Sequence, residues 1–361
     1  MTHQNWIYKP RFDILFILSP PFLCLLIIIL FSSYFNNHDV SWPWWLALVL
    51  CVDVGHVYST IYRTYADKET FKTHRLFLIS LPVVLFVFSV LVYQAGSIYF
   101  WRLLAYIAVF HFIRQQYGFM RIYTRGETSG PVSRWIDVIT IYAATLYPVL
   151  FWHIRGDRQF HWFVDHDFLD LSALKEGLPF LKGLYGLILL SYVTKEVVMW
   201  LRYKRFNIPK QLLVAGTVVS WYAGIVYYNG DLIFTLMNVV SHGIPYIALV
   251  WVYGHKKSGQ STPVYYRIQA WIFKKKYILL FIGSLFMMAY AEEYLWDLFI
   301  WHEHSEIFPG LHLSEKTLKV FTESLIIPLL SVPQLTHYVI DGFIWKIQKD
   351  RFNWKSSTLN H

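Results

Sequence analysis

The sequence predicts an all-α fold, a polytopic bundle of about ten transmembrane helices with both termini in the cytoplasm. Of its 361 residues, 56% are hydrophobic and only 15% are charged, whereas about a quarter are charged in a typical soluble domain. The apolar residues form runs of roughly 20, the length of helix that crosses a bilayer core. Many of the 16 Trp and 26 Tyr residues lie near the ends of these runs, where amphipathic rings favour the membrane interface.

Short connections separate most of the apolar runs, so we expect a single integral membrane domain over residues 1–361. The sequence shows no clear internal repeat and no low-complexity segment. The predicted spans are 13–35, 42–62, 76–94, 99–117, 135–154, 178–201, 211–228, 232–252, 277–295 and 319–345.

The charges of the connecting loops predict the orientation, because cytoplasmic loops carry an excess of Lys and Arg. Basic residues concentrate at the N-terminus and in every second loop, at 9–11, 63–75, 114–134, 202–210, 253–276 and 346–355. The intervening loops are poor in Lys and Arg or are acidic, as at Asp165, Asp167 and Asp170. This alternation places both ends in the cytoplasm, and we expect the bacterial inner membrane as the location.

Composition argues against several other classes of protein. The net charge of +9 is distributed over alternate loops and accompanies no nucleic-acid-binding motif, so we expect no nucleic-acid partner. Cys24 and Cys51 both lie in apolar runs and form no CxxC motif. The first apolar stretch contains Pro20 and Pro21 and is too long for a signal peptide, which predicts a retained helix.

Histidines recur at one predicted depth in the membrane. His56, His111 and His337 fall in the cytoplasmic halves of the second, fourth and tenth spans, which all run from outside to inside. His74 opens the third span from the cytoplasmic side, and His242 lies nearer the midplane of the eighth span. Ionisable side chains inside a bilayer are costly and usually face a partner or a cavity. A single such histidine can simply bond to a neighbouring helix, but several at one level predict a metal site.

Two carboxylates accompany these histidines. Asp53 precedes His56 by three residues, and Asp341 follows His337 by four, so each carboxylate shares a helix face with its histidine. A carboxylate in this position can be a further metal ligand or can orient the imidazole. Histidine and carboxylate ligands suit non-haem iron, and zinc, manganese or copper are further possibilities. Asp53 and Asp341 are therefore candidate catalytic residues, and the five histidines are candidate metal ligands.

Two further groups of residues are candidates for binding. Arg63 and Arg114 lie near the ends of the histidine-bearing spans and could bind a substrate carboxylate or phosphate, or could simply anchor the helix ends. A second histidine group falls in predicted outer loops, where it could form an exterior metal site or be ordinary polar loop sequence. Its members are His153, His161, His166, His302, His304 and His312.

The pattern of Asp53 with His56, His74, His111 and His337 resembles that of the integral-membrane histidine-motif oxygenases, the class of fatty acid desaturases, hydroxylases and membrane carotenoid oxygenases. Those enzymes hold iron with histidines at the cytoplasmic ends of membrane helices and oxidise lipid-soluble substrates. The likeness lies in scattered residues, because the chain contains no HxxxH, HxxHH or HxxHxxH motif.

The resemblance implies a membrane oxidoreductase of lipid metabolism. Its site would be a non-haem iron held by His and Asp near the cytoplasmic face, its substrate a lipid or other hydrophobic molecule, and its partner an electron donor. Two alternatives remain open at this stage. Histidines on separate helices can be axial ligands of haem in an electron-transfer protein, and intramembrane Asp and His also mark the ion pathways of proton-coupled transporters.

Overall fold

The structure is a computed structural model that describes residues 4–157, 159–258, 271–308 and 323–346. Over these ranges the chain forms helices and turns, and no strand occurs. The helices pack as two compact units. The first unit comprises residues 1–39 and 108–245, and the second comprises residues 40–107 and 246–361. The prediction of a single membrane domain stays a prediction.

In the first unit the first helix is interrupted at Ser19, because the two prolines that follow it lack backbone N–H donors. The helices on either side of this break are bent by 54°. The helices that lie in this unit are α1 (Pro10–Leu18), α2 (Pro20–Leu30), α3 (Ser32–Asn37), the later part of α6 (Ser97–Tyr123), α7 (Pro131–Arg155), α8 (Ser172–Tyr203), α9 (Ile208–Trp221) and the start of α10 (Asp231–Ser258).

Ring contacts and a close backbone approach hold the first unit together. Tyr147 of α7 stacks on Tyr185 of α8, with ring centroids 4.3 Å apart. Helix α9 approaches α2 so closely at Gly216 that an added Cβ would lie 2.7 Å from Cγ of Pro21. Glycine is therefore required at residue 216 for the two backbones to pack at this distance.

The second unit begins at α4 (Trp42–Arg63), and its next helix is capped by Asp67, whose carboxylate accepts a hydrogen bond from the Thr70 backbone N–H at 3.1 Å. Its other helices are α5 (Lys68–Ala95), the start of α6, the rest of α10, α11 (Lys275–Trp301), α12 (Glu323–Leu330) and α13 (Val332–Ile344).

Packing in the second unit joins α4 to α11 and α5 to α13. The Tyr62 and Ser284 hydroxyls, from α4 and α11, lie 2.6 Å apart. Leu78 of α5 packs against Ile340 and Ile344 of α13, and all three side chains are completely enclosed. Helices α4 and α13, which carry His56 and His337, belong to this same packed unit.

Within the described residues, six helices are long and apolar enough to cross a membrane, and the bent pair of α1 and α2 would make a seventh span. The six are α4, α5, α7, α8, α10 and α11. Each of the ten spans predicted from the sequence overlaps a helical stretch, but three of them lack the required length or apolarity. Helix α6 carries Arg102, His111 and Arg114, and α9, which continues into the π-helical segment Tyr222–Tyr227, carries Lys210 and Gln211. Helices α12 and α13 are short and broken at Ser331. The count of ten and the orientation stay predictions.

The membrane-length helices differ in how much of their surface the protein encloses. In the most apolar part of α5, 11% of the residues are buried inside the protein. In the corresponding part of α10, 89% of the residues are buried. An exposed helix of such high hydropathy suits contact with lipid, because its backbone hydrogen bonds are satisfied internally. Helix α10 is instead surrounded by protein, which suits a helix that carries a buried polar site.

Candidate metal centre

The second unit brings His56 of α4 together with His337 of α13. Their ring centroids lie 4.9 Å apart and the ring planes are nearly perpendicular, at 82°. Both side chains are about 1% exposed. A ligand nitrogen of one ring lies within 4.8 Å of a ligand nitrogen of the other. Two nitrogens bound to one ion at about 2.0–2.1 Å are at most ~4 Å apart, so a small adjustment would let this pair share a metal ion.

Hydrogen-bonding groups lie at the Nδ1 atom of each ring in this pair. The Thr60 hydroxyl is 2.7 Å from Nδ1 of His337. The backbone of Val52 and Asp53 hydrogen-bonds to the imidazole of His56. The Asp53 carboxylate is 3.5 Å from Nδ1 of His56, one helical turn away, as the sequence spacing predicts. Metal-binding imidazoles commonly use their second nitrogen in this way, because the hydrogen bond fixes the ring and its tautomer.

Tyr246 of α10 supports both rings of this pair. Its ring meets those of His56 and His337 edge-on, with centroids 5.7 and 5.0 Å away. Its hydroxyl lies 3.0 Å from the Thr60 hydroxyl and also hydrogen-bonds to the side chain of Asp341. The candidate catalytic residue Asp341 is thus connected to His337 through two intervening hydroxyl groups.

The first unit contains a second pair, His111 of α6 and His242 of α10. The ring centroids again lie 4.9 Å apart, with an angle of 84° between the planes. Both side chains are buried, and a ligand nitrogen of each lies within 4.8 Å of one on the other. The sequence predicts that His242 lies nearer the membrane midplane than the other histidines, yet in the structure it packs against His111.

Two neighbours of His111 on α6 hold His242 in place. The Phe112 ring stacks on the imidazole of His242, with centroids 3.8 Å apart and planes 11° from parallel. One turn beyond His111, Nε2 of Gln115 donates a hydrogen bond of 2.8 Å to the backbone carbonyl of His242. Helix α6 therefore supplies one histidine of the pair and positions the other.

Irregular helix geometry precedes one histidine of each pair. The segment Trp45–Val54 of α4 is π-helical and ends two residues before His56. The segment Thr235–Val239 of α10 is also π-helical and ends three residues before His242. Wider turns of this kind re-aim the side chains that follow and are frequent at functional sites.

His74 and Arg63 have different surroundings from the four paired histidines. His74 is half-buried at an irregular position in α5, with φ −117° and ψ 20°, and it is not a member of either pair. Arg63 is completely enclosed, with its guanidinium 4.1 Å from the ring centroid of Tyr253 and 5.6 Å from that of Trp345. It donates a hydrogen bond of 3.1 Å to the Thr70 hydroxyl, so it joins α4 to α5. Headgroup binding by Arg63 stays a prediction.

Arg114 is more accessible than Arg63. It is half-buried, donates a hydrogen bond of 2.7 Å to the Tyr142 hydroxyl of α7, and lies 4.9 Å from the centroid of the Tyr117 ring. Its guanidinium is therefore held on one side while it keeps some exposure. Of the two arginines, Arg114 is the better placed to bind a polar headgroup.

The outer histidines have individual roles in the described residues. His161 pairs with exposed Asp165 at 3.1 Å, and His166 has a left-handed backbone with φ 64°. His302 ends α11 with φ 56°, and His304 packs on the Trp45 ring at 3.9 Å between centroids. Burial lowers the pKa of His304, although Asp297 nearby opposes this effect. His153 is buried, with Nδ1 2.7 Å from the Val149 carbonyl of its own helix, and His312 lies outside the described residues. Among the described residues, no outer histidine joins a candidate metal-binding group.

Several buried charged residues escape prediction from the sequence. Glu292 and Glu293 interrupt the apolar run of α11, and the Tyr58 hydroxyl donates a hydrogen bond of 2.5 Å to Glu292. In the first unit a network of charges links α7, α8 and α9, and its members are Asp137, Lys195, Glu196 and Lys210. The signal was present, because a charged pair inside an apolar run is costly unless it has partners.

Searches against protein family models, curated proteins and solved structures found no match to this chain. The class of protein is therefore defined by its own geometry. It is an all-α protein with helices suited to a membrane, and it contains buried histidines that could hold a metal ion.

Proposed function

We propose that the chain is an integral membrane metalloenzyme in which the buried histidine pairs bind transition metal. The observation that carries this proposal is that each unit buries an orthogonal pair of imidazoles and surrounds it with residues that orient the rings. A histidine with a purely structural role needs only one hydrogen-bond partner. Burying two imidazoles close together costs free energy, because each ring must be kept neutral. A shared ion offsets this cost through bonds to the ring nitrogens.

We propose non-haem iron as the metal, with zinc, manganese or copper as the alternatives that imidazole ligands also suit. When bound, such an ion would supply oxygen activation for hydroxylation or desaturation of a lipid or other hydrophobic substrate. The protein's own residues would keep the imidazoles neutral, orient them and exclude bulk water. Asp53 and Asp341 would orient His56 and His337, and Arg114 would bind a polar headgroup.

We further propose the full topology of ten spans, with both termini in the cytoplasm of a bacterial cell and the chain in its inner membrane. Support comes from the alternation of basic loops and from the overlap between the ten predicted spans and helical stretches. The histidine level then lies in the cytoplasmic half of the bilayer. An electron donor would approach from the cytoplasm, while substrate would enter sideways from the lipid.

Metal analysis of protein purified in detergent tests the proposal most directly. We expect bound transition metal in the wild-type protein. Because removal of one ligand disables the site to which it belongs, His56→Ala should abolish metal binding by its pair with His337, and His111→Ala should abolish metal binding by its pair with His242. Within one pair, the double variant should resemble either single variant, as residues that act as a unit are strongly non-additive.

The controls distinguish the histidine pairs from the other histidines as the metal-binding residues. His302→Ala and His304→Ala should leave bound metal largely intact, and His74→Ala tests the histidine outside both pairs. Full metal content in both His56→Ala and His111→Ala would contradict metal binding by the histidine pairs. Loss of metal only in His302→Ala or His304→Ala would mean that the metal site lies among the outer histidines.

A haem held between the two histidines of one pair is disfavoured by the spacing within each pair. A haem lies between its two axial imidazoles, and ring centroids 4.9 Å apart leave no room for a flat macrocycle between the members of either pair. The visible absorption spectrum decides the question, because a strong Soret band in purified protein would establish haem.

A proton-coupled transporter is the second candidate function, and one observation favours it. Charged residues of α7, α8 and α9 form the network of Asp137, Lys195, Glu196 and Lys210, which lies in the first unit together with the pair His111 and His242. Such networks accompany ion pathways. Absence of any bound transition metal, together with proton uptake by reconstituted vesicles, would favour the transporter.

A further inference from the structure

A line of hydrogen bonds in the second unit runs from Asp341 to His337. The Asp341 side chain bonds to the Tyr246 hydroxyl, which lies 3.0 Å from the Thr60 hydroxyl, and Thr60 lies 2.7 Å from Nδ1 of His337. The Trp345 indole also donates to the Tyr246 hydroxyl, at 3.4 Å. Thr60 and Tyr246 are nearly inaccessible to solvent, so within this line each hydroxyl bonds to protein groups.

When Asp341 is ionised, the chemistry of the groups determines the direction of every bond in this line. An ionised carboxylate only accepts and an indole N–H only donates, whereas a hydroxyl has a single proton to donate. Tyr246 therefore donates its proton to Asp341. Its oxygen, which already accepts from Trp345, can only accept from Thr60. Thr60 has then used its proton and must accept a hydrogen bond from His337.

We propose that Asp341, acting through Tyr246 and Thr60, fixes His337 as the tautomer that is protonated at Nδ1. In a neutral imidazole this leaves the lone pair on Nε2, the nitrogen that can bind a metal ion. Thr60 and Tyr246 are thus positioning residues, and Asp341 acts on the ligand at a distance rather than by coordinating the ion. The role in metal binding rests on the proposed function, but the tautomer itself does not.

The opposite direction would make His337 unsuitable as an Nε2 ligand. If Asp341 were protonated and donated to Tyr246, then Tyr246 could donate to Thr60 and Thr60 to Nδ1 of His337. The proton of the neutral imidazole would then lie on Nε2 and block that nitrogen. The protonation of one distant carboxylate therefore decides which nitrogen of His337 carries the lone pair. An Asp341→Asn substitution places an NH₂ donor beside the same hydroxyl and imitates this reversed state.

Nitrogen-15 NMR of the metal-free protein, labelled at histidine and reconstituted in lipid, tests the tautomer directly. The His337 signals are assigned by their absence from a His337→Gln sample. We expect wild-type protein to show His337 protonated at Nδ1. Thr60→Val removes the acceptor and should shift His337 toward the Nε2-protonated form, whereas Thr60→Ser should restore the wild-type signal. Thr145→Val, at a buried threonine bonded only within its own helix in the described structure, should leave the signal unchanged.

Metal affinity provides the second readout. Substitution of a residue that orients a metal ligand typically weakens binding by about 10–100-fold, and we expect this loss in Thr60→Val and Asp341→Asn but not in Thr60→Ser. An Nε2-protonated His337 in wild-type protein, or a signal indifferent to both Thr60 substitutions, would overturn the proposal. If wild-type His337 is protonated at Nδ1 and responds to Thr60 while no metal binds, the positioning line stands and the metalloenzyme proposal fails instead.

Discussion

At the scale of single residues, the two histidine pairs are built from different supporting groups. The Thr60 hydroxyl lies 2.7 Å from Nδ1 of His337, and the Asp53 carboxylate lies 3.5 Å from Nδ1 of His56. His242 is instead held by the stacked Phe112 ring and by a hydrogen bond to its backbone. Sequence spacing predicts the partnership of Asp53 and His56, because both belong to one helix. The partners of His337 and His242 come from other helices, and no spacing along the chain could reveal them.

The hydrogen bond from Gln115 to the backbone of His242 leads to a prediction about ligand geometry. In Gln115→Met the volume is similar but the donor is lost, so α10 is held less firmly beside α6. We expect metal affinity to fall about tenfold, since outer residues that orient a ligand have effects of this size. Competition with a chelator of known affinity measures the change.

Gln116 offers a matched control for this experiment. It is also buried on α6, but its side-chain oxygen accepts from the Thr217 hydroxyl of α9 at 3.1 Å. Gln116→Met should therefore change the stability of the protein and leave metal affinity close to that of wild type. Equal losses of affinity in the two variants would show that any disturbance of α6 empties the site.

At the scale of elements, the positions of the helices follow from the apolar runs, but their ability to span a membrane is less uniform. Helix α6 has the length of a span, yet its paired and stacked polar residues lower its hydropathy. Helix α10 is the opposite case, because it is both apolar and enclosed by protein. In α6, polar residues that lower its hydropathy, such as His111 and Gln115, also build the histidine pair.

The junction of α4, α5 and α10 is tied by a buried ion pair. The Asp67 carboxylate, besides capping α5, accepts hydrogen bonds from Nζ of Lys257 at 2.7 Å and from the Tyr253 hydroxyl at 2.6 Å. Burial by itself raises the pKa of Asp67, but the attraction of Lys257 and the hydrogen bonds outweigh burial and leave the pKa below its usual value of 3.8.

This lowered pKa predicts how stability depends on pH. Because the folded-state pKa lies below the unfolded one, the stabilisation by Asp67 is fully present above about pH 4 and is lost as the pH falls through the folded pKa. We expect Asp67→Asn, which can still cap the helix, to lower stability by ~2 kcal/mol at pH 7. The difference from wild type should shrink below about pH 4, as followed by thermal unfolding in detergent.

Comparison with Asp67→Ala separates the two roles of this residue. Alanine loses the cap as well as the charge, so a further ~1 kcal/mol should be lost at every pH. A difference between wild type and Asp67→Asn that persists unchanged at the lowest pH would mean that the Lys257 pair is not its source.

At the scale of the whole molecule, the alternation of loop charges makes a prediction about topology. A reporter of cytoplasmic location fused after Lys355, a residue outside the described part of the chain, should be active in the cytoplasm. The same reporter inserted near Asp167 should report the opposite side, because that loop is acidic and follows the fifth predicted span.

Fusions after Arg205 and near Asn229 extend the test to the short hairpin between α9 and α10. Residue 205 lies in a basic loop and should report the cytoplasm, whereas residue 229 should report the outside. Reporters on one side of the membrane at Asp167 and Lys355 would contradict the ten-span topology. Agreement at all positions except Asn229 would show that α9 does not cross the membrane.

The sequence by itself determined that the chain is helical and suited to a membrane, because runs of apolar residues and the charges between them are local properties. It also determined which histidines lie deep in the chain's apolar segments. Only the tertiary structure decided that His56 pairs with His337 and His111 with His242, because these contacts depend on helix packing and on π-helical turns that alter the register. It likewise decided that Arg63 is enclosed by Tyr253 and Trp345, since burial depends on neighbours that are distant along the chain.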